Sequence, residues 1–189
     1  MKRLFVAVPV FLDAPLRDLF VRVRAGCKYD NIVWVREDLL HLTARFIGAT
    51  SEYRIPMLKQ ILEQICVAES PFTLTIDKIS IFGSRYAPKV IWIGFQEFEC
   101  FKKLFLKIED AIVRAEFPAA EGHFVPHITI GRIKKIDNKK RFQQVLNTTI
   151  PFPEQTLFVN EIMLFQSKLH SSGPEYKILA RFPLGTSKI

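Results

Sequence analysis

Apolar and polar positions along this 189-residue chain alternate between two periods, and the switches mark out its elements. Leu4 to Val10 is apolar on both faces, as in a buried strand. Asp13 is placed to cap a helix with Pro15 in its first turn. Leu16, Leu19, Phe20 and Val23 recur at helical spacing to about Ala25, and Gly26 stops the run. Ile32 to Arg36 reads as a second strand, Glu37-Asp38 as a turn, and Leu40 to Ile47 as a third strand closed by Gly48. Ser51 is placed to cap a helix whose stripe is Ile55, Leu58, Ile61, Leu62 and Ile65, which confines Pro56 to its first turn. Phe72, Leu74 and Ile76 alternate with polar residues in a half-exposed strand to about Phe82. A polar turn over Gly83 to Lys89 leads to the buried strand Val90–Phe95. Phe101, Leu104, Phe105, Ile108, Ala111, Ile112 and Ala115 form the strongest helical stripe, which Pro118 ends. Phe124 to Ile130 is strand-like, and Phe142, Val145 and Leu146 suggest a short helix. Thr156–Phe165 and Tyr176–Leu184 are two further strands joined through Ser171-Ser172-Gly173-Pro174.

Strand, amphipathic helix and a second strand occur in that order twice, over Leu4–Ile47 and Val90–Gly131. Duplicated strand-helix-strand units predict an α+β fold of two similar, pseudo-symmetric lobes, with residues 1–189 forming one bilobal domain and a cleft between the lobes.

Each repeat ends on the same short pattern, His41-Leu42-Thr43-Ala44 and His127-Ile128-Thr129-Ile130. Strand side chains alternate, so His41 and Thr43 share one face while Leu42 and Ala44 share the other; His127 and Thr129 are paired likewise. Two imidazoles facing one site supply a general acid and a general base together, because histidine holds both protonation states near neutral pH. A phosphodiester displacement needs that pair on opposite sides of phosphorus, with the hydroxyls of Thr43 and Thr129 on the non-bridging oxygens. Metal chemistry is the rival, but no Asp, Glu or Cys stands with ligand spacing beside either motif, so no metal is expected. His123 and His170 read as ordinary surface or core residues. Arg45 shares the parity of His41 and faces either the cleft or a salt bridge. Phe5 belongs either to the core or to a base-stacking surface.

A net charge of +8 points to an anionic partner: nucleic acid, a phosphorylated small molecule or an acidic membrane surface. The run Arg132–Arg141 concentrates six basic residues against one acid and is suited to steering RNA. Cys27, Cys66 and Cys100 are odd in number and far apart, each in or beside a predicted helix, which suits core thiols in a reducing cytosol. Lys2-Arg3 before Leu4–Leu12 imitates a signal peptide, but Pro9 interrupts the run and Asp13 closes it, so it reads as the first strand. No apolar stretch approaches the roughly 18 residues a membrane span needs.

With these motifs in order, the chain resembles the 2H phosphoesterase superfamily, specifically the RNA 2′,3′-cyclic phosphodiesterases once called 2′-5′ RNA ligases. The likeness runs from Arg3-Leu4-Phe5-Val6-Ala7-Val8 through Trp34-Val35 and Leu40–Gly48 to Val90-Ile91-Trp92. It continues through Pro126–Arg132, Leu164-Phe165-Gln166-Ser167 and Gly173-Pro174-Glu175-Tyr176. Ala44 departs from the larger aliphatic residue usual there. The resemblance implies a bilobal fold with antiparallel sheets around a central cleft, no metal, and hydrolysis of an RNA 2′,3′-cyclic phosphate end to a 2′-phosphate. No cofactor and no membrane partner are expected, and the expected state is a cytoplasmic monomer. It implies His41 as proton donor, His127 as proton acceptor, and Thr43, Thr129 and Arg132 as phosphate-binding residues. Strict alternation turns Arg132 away from His127, so the strand must end or bulge before it. Small cyclic nucleotides, cyclic phosphates of an ADP-ribose type, 2′-5′-linked oligonucleotides and a non-catalytic RNA-end binding role stay open as alternatives.

Overall fold

The structure is a computed structural model that describes residues 1–148, 155–170 and 173–185. Its elements are β1 (Lys2–Pro9), α1 (Ala14–Gly26), β2 (Asn31–Trp34), β3 (His41–Thr50), α2 (Ile55–Val67), β4 (Phe72–Ser84) and β5 (Ala87–Phe95). They continue with α3 (Glu99–Arg114), β6 (Ile128–Lys135), α4 (Lys139–Thr148), β7 (Gln155–Val159), β8 (Glu161–His170) and β9 (Gly173–Pro183). The fold is α+β, and the nine strands of the described residues form one antiparallel sheet in the order β7-β4-β5-β6-β3-β1-β8-β9, with β2 added on β6.

The sheet has two halves that meet at a single residue pair. β7, β4, β5 and β6 make one half; β3, β1, β8 and β9 make the other; Leu42 opposite Ile128 joins them. Both side chains are fully buried, and burying each is worth about 1.5–3 kcal/mol. They lie on the helix-covered face, where Leu4, Val6 and Val8 of β1 pack with Leu16 of α1, Leu58 of α2 and Leu104 of α3 in one core. The opposite face of β1 and β8 carries a smaller cluster of Phe5, Ala7, Met163 and Phe165, with Tyr176 against it.

Local chemistry fixes most element ends. Asp13 accepts a hydrogen bond from the Leu16 N–H at 3.0 Å, as its position predicts. Gly26 is the last residue of α1, and the close approach of Val145, 2.7 Å from where a Cβ would sit, requires glycine there. Ser51 precedes a short 3₁₀ turn, Glu52–Arg54, and makes no side-chain cap, so α2 opens at Ile55-Pro56 instead. α3 ends at Arg114 with Ala115 as its cap, and Glu116 follows in the left-handed region at φ 59°, before Pro118 is reached.

Three further expectations are corrected. The polar turn placed at Gly83–Lys89 is a hairpin with Arg85 and Tyr86 at its tip and Lys89 as the extra residue of a bulge; Gly83 permits it with φ 96° and no room for a Cβ against the Ala87 carbonyl. The strand placed at Thr156–Phe165 is two strands broken at Asn160, β7 on β4 and β8 on β1, because the two halves of the sheet diverge there. Cys27 and Cys66 are buried, but Cys100 is exposed at the start of α3. Of the connection placed at Ser171–Pro174, Ser171 and Ser172 lie outside the described residues.

Candidate active site

An antiparallel pair has a local two-fold axis, and here that axis passes between Leu42 and Ile128. It relates His41 to His127 and Thr43 to Thr129. All four precede or follow the buried pair by one residue, so they point to the face away from the helices. The tight, apolar back of the junction thus holds two His-x-Thr motifs side by side on its front.

The two imidazoles are fixed in the same way. His41 donates its Nδ1–H to the Leu39 carbonyl at 2.7 Å, and His127 donates its own to the Val125 carbonyl at 2.8 Å. Each carbonyl lies two residues upstream of its histidine. With Nδ1 committed as a donor, the neutral ring carries its lone pair on Nε2, so Nε2 is the exchangeable atom in both rings. Aromatic side chains from neighbouring strands pack each ring. His41 sits 5.1 Å from Phe5 and 5.3 Å from Tyr176, ring centre to ring centre. His127 sits edge-on to Phe82 at 4.7 Å and 6.1 Å from Trp92, which stacks on Phe82. Phe5 is 2 % exposed, so it backs His41 and offers no face to a base.

Burial holds both histidines below their ordinary value of 6.5. At His41 the bond to Leu39 pulls upward, and the charges of His127 and Arg132 push further down. At His127 the bond to Val125 pulls upward and Arg132 pushes down. Tyr176 is held above its usual range by burial, against the charges of Arg132 and Arg3. Arg132 is therefore within electrostatic reach of both imidazoles and of Tyr176.

A bulge brings it there. β5 pairs Trp92 with Thr129 and Ile91 with Gly131, leaving Ile130 of β6 without a partner on β5 and reversing the alternation beyond it. The same happens three residues after the first histidine. β1 pairs Ala7 with Thr43 and Val6 with Arg45, so Ala44 is extra. Arg45 therefore faces the helix side, where it is 6 % exposed, paired with Glu109 and donating to the carbonyls of Phe46 and Pro118. Of the two placements open for Arg45, the salt bridge is the one the fold uses. Phe46 takes the cleft-side position instead, 58 % exposed and 5.9 Å from Phe5.

Phe82, Phe46 and the two carbonyls are components that the sequence alone did not reveal. Trp92 and Tyr176 stood in matched motifs without an assigned role. Within the basic run, Arg141 is tied to the buried carboxylate of Asp30 at 3.0 Å, with its guanidinium 5.0 Å from the Tyr29 ring, and so is drawn back toward the protein. His123 is exposed, and His170 pairs with Glu175 at 2.9 Å, the ordinary surface placements expected for them. Among the described residues no group of three or more His, Cys, Asp and Glu side chains is arranged to hold a metal ion. No helix among them is long and apolar enough to cross a membrane.

A family model described as LigT-like phosphoesterase matches residues 8–92 and 100–176. The RNA 2′,3′-cyclic phosphodiesterase of Thermotoga maritima is 33% identical over 149 residues, covering 77% of this chain and 76% of its own. That of Methanothermobacter thermautotrophicus is 27% identical over 184 residues, 96% of this chain and 98% of its own. That of Geobacillus stearothermophilus is 28% identical over 180 residues, and the match spans only 56% of that longer relative. In three dimensions the chain is similar to TT0787 of Thermus thermophilus, with a TM-score of 0.79 at 23% identity over 98% of this chain and 100% of the other. It is also similar to LigT of E. coli solved with 3′-AMP, with a TM-score of 0.72 at 23% identity over 98% and 99%.

Proposed function

The chain belongs to the LigT-like phosphoesterase family, and from that membership we propose that it is a phosphodiesterase hydrolase that opens 2′,3′-cyclic phosphates at RNA ends to 2′-phosphates without a metal ion. The observation that carries the chemistry is the matched pair of Nδ1–carbonyl bonds at His41 and His127, which leaves Nε2 of both rings free at one site.

His127 Nε2 takes a proton from water as the water oxygen bonds to phosphorus. The P–O3′ bond opposite breaks, and protonated His41 Nε2 delivers its proton to the leaving O3′. One proton is thus taken and one given, and the product carries a 2′-phosphate beside a free 3′-hydroxyl. Thr43 and Thr129 donate to the non-bridging oxygens, and Arg132 balances the phosphate charge. The reaction starts from one protonated and one neutral imidazole. Mutual repulsion favours that state over the doubly protonated one, since the charge of His127 pushes His41 down. Three free cysteines suit a reducing compartment such as the cytosol, where the enzyme acts as a monomer on RNA ends.

The test is a purified-enzyme assay on an RNA ending in a 2′,3′-cyclic phosphate, with excess EDTA, resolving 2′- from 3′-phosphate products. The expected product is the 2′-phosphate at an unchanged rate. His41→Ala and His127→Ala should each lose about 10²–10⁴-fold. A 3′-phosphate product would reverse the leaving-group assignment. Activity that EDTA abolishes and a divalent ion restores would overturn the two-histidine mechanism.

A further inference from the structure

β6 leaves β5 immediately after Arg132. Up to that point the strands pair, Val90 opposite Arg132; beyond it Ile133 and Lys135 pair with β2, while Ala87 and Pro88 remain with β4. The fork opens a groove of about 660 Å³ whose walls include Tyr86, Pro88, Lys89, Arg132, Lys134 and Lys139. Among the described residues no acidic side chain lines it. Its volume falls within the roughly 300–1,000 Å³ of ordinary ligand clefts, enough for a segment of single strand and too small for a duplex.

We propose that this groove holds the RNA strand upstream of the cyclic phosphate, which makes the substrate an oligonucleotide rather than a mononucleotide; the inference rests on the function proposed above. Arg132 belongs to both places, since its charge reaches His41 and His127 while its side chain lines the groove. A strand whose terminal phosphate lies at the histidines therefore meets the groove as its next surface. Lys89, Lys134 and Lys139 are exposed along it, and a polyphosphate strand is the polyanion that a row of cations attracts. At the far end Tyr86 is 71 % exposed at the hairpin tip, with the Arg85 guanidinium 5.7 Å from its ring. An exposed aromatic beside cations is a stacking platform that accepts any base. The half-buried Ile133 and Ile136 supply apolar floor between the charges. The Arg141–Asp30 pair holds the end of the basic segment against the turn after α1, which keeps the groove's second wall in place.

The experiment compares wild type, Tyr86→Ala and the triple variant Lys89→Ser/Lys134→Ser/Lys139→Ser on two substrates. One is cytidine 2′,3′-cyclic monophosphate; the other is a short single-stranded RNA ending in the same cyclic nucleotide. All three lysines and Tyr86 are exposed, so folding should survive, and the mononucleotide rate checks this directly. Wild-type kcat/KM for the RNA should fall with salt. The triple variant should flatten that slope by roughly 0.7 for each phosphate that is no longer neutralised. Tyr86→Ala should cost the RNA about 5- to 100-fold and leave the mononucleotide unchanged. Unchanged RNA kinetics in both variants, or equal losses on both substrates, would overturn the groove assignment. Fluorescence anisotropy with the same RNA ending in a plain hydroxyl separates this from the catalytic reading. Binding that the triple variant loses supports the groove even if no substrate is hydrolysed. Hydrolysis of both substrates with RNA kinetics and hydroxyl-ended RNA binding that neither variant changes overturns the groove alone.

Discussion

Replacing Arg45 by Met tests the bulge at Ala44, because strict alternation and the bulged strand assign that side chain opposite fates. In the structure Arg45 is 6 % exposed and Glu109 has 18 % of its side chain exposed. Arg45 binds Glu109 and the carbonyls of Phe46 and Pro118, while Glu109 also accepts the Ala120 N–H at 2.6 Å. Removing one partner of a buried pair typically costs about 3–5 kcal/mol, because the other charge stays buried and uncompensated. The Ala120 amide still serves Glu109, which favours the lower end. The two carbonyls that lose a donor add about 1 kcal/mol each, so the total stays near 3–5 kcal/mol. With a urea slope of about 2–3 kcal/mol/M, the unfolding midpoint should drop by roughly 1–2.5 M. The two tryptophans, Trp34 and Trp92, report unfolding by fluorescence. Arg45→Met/Glu109→Leu should recover much of the loss, since the stranded carboxylate is then gone. If Arg45 instead faced the cleft, Arg45→Met would leave the stability within about 0.5 kcal/mol of wild type and raise KM for phosphate esters. That result, or a double variant no more stable than the single one, would refute the bulged register.

Three further outcomes follow from the perturbed groups. Both histidines are held below 6.5 mainly by burial, so the kcat/KM bell of the free enzyme should lie on the acid side of pH 6.5, and Arg132→Gln should move both limbs upward by removing a repelling charge; an alkaline limb above 6.5 in the wild type would contradict the buried placement. The same depression means the unfolded chain binds more protons than the folded one below 6.5, so the pair withdraws stability as pH falls from 6.5 through the depressed values, and chemical denaturation at graded pH checks the sign. Thiol reagents should modify Cys100 in the native protein and reach Cys27 and Cys66 only on unfolding, because burial pushes those thiols up to about 11 and about 12; native labelling of all three would contradict their burial.

The elements were legible where one face is buried and the period is therefore enforced. Leu16, Leu19, Phe20 and Val23 bury one side of α1, and Phe101, Leu104, Ile108 and Ile112 one side of α3, as their spacing predicts. The two His-x-Thr motifs were legible for the same reason, since Leu42 and Ile128 must go inward. What a single strand cannot reveal is its partner. The break at Asn160 follows from β7 and β8 joining different halves of the sheet, and the tight hairpin at Arg85-Tyr86 from pairing that continues through Ser84 and Ala87. The carbonyls of Leu39 and Val125 were invisible because any residue could supply them; only the backbone path brings them under Nδ1.

The bulges show how a duplicated motif becomes an asymmetric site. Ala44 and Ile130 stand at the same offset from their histidines, and each is the extra residue of its strand. Beyond each bulge the next residue turns to the helix side and the one after it to the cleft. In the first copy these are Arg45 and Phe46; in the second they are Gly131 and Arg132. A side chain at Gly131 would press on Ile32 and Trp34 of β2 at 3.0–3.3 Å, so the second copy has no room for a counterpart of Arg45. The first copy has room because β2, among the described residues, pairs with β6 and not with β3, and its arginine instead binds Glu109 of α3. One arginine thus serves the scaffold and the other the cleft, although both follow a His-x-Thr at nearly the same spacing. A sequence pattern that equates the two copies assigns Arg45 and Arg132 by parity and reverses both. Pairing register, set by β1 on one side and β5 on the other, decides which charge reaches the histidines.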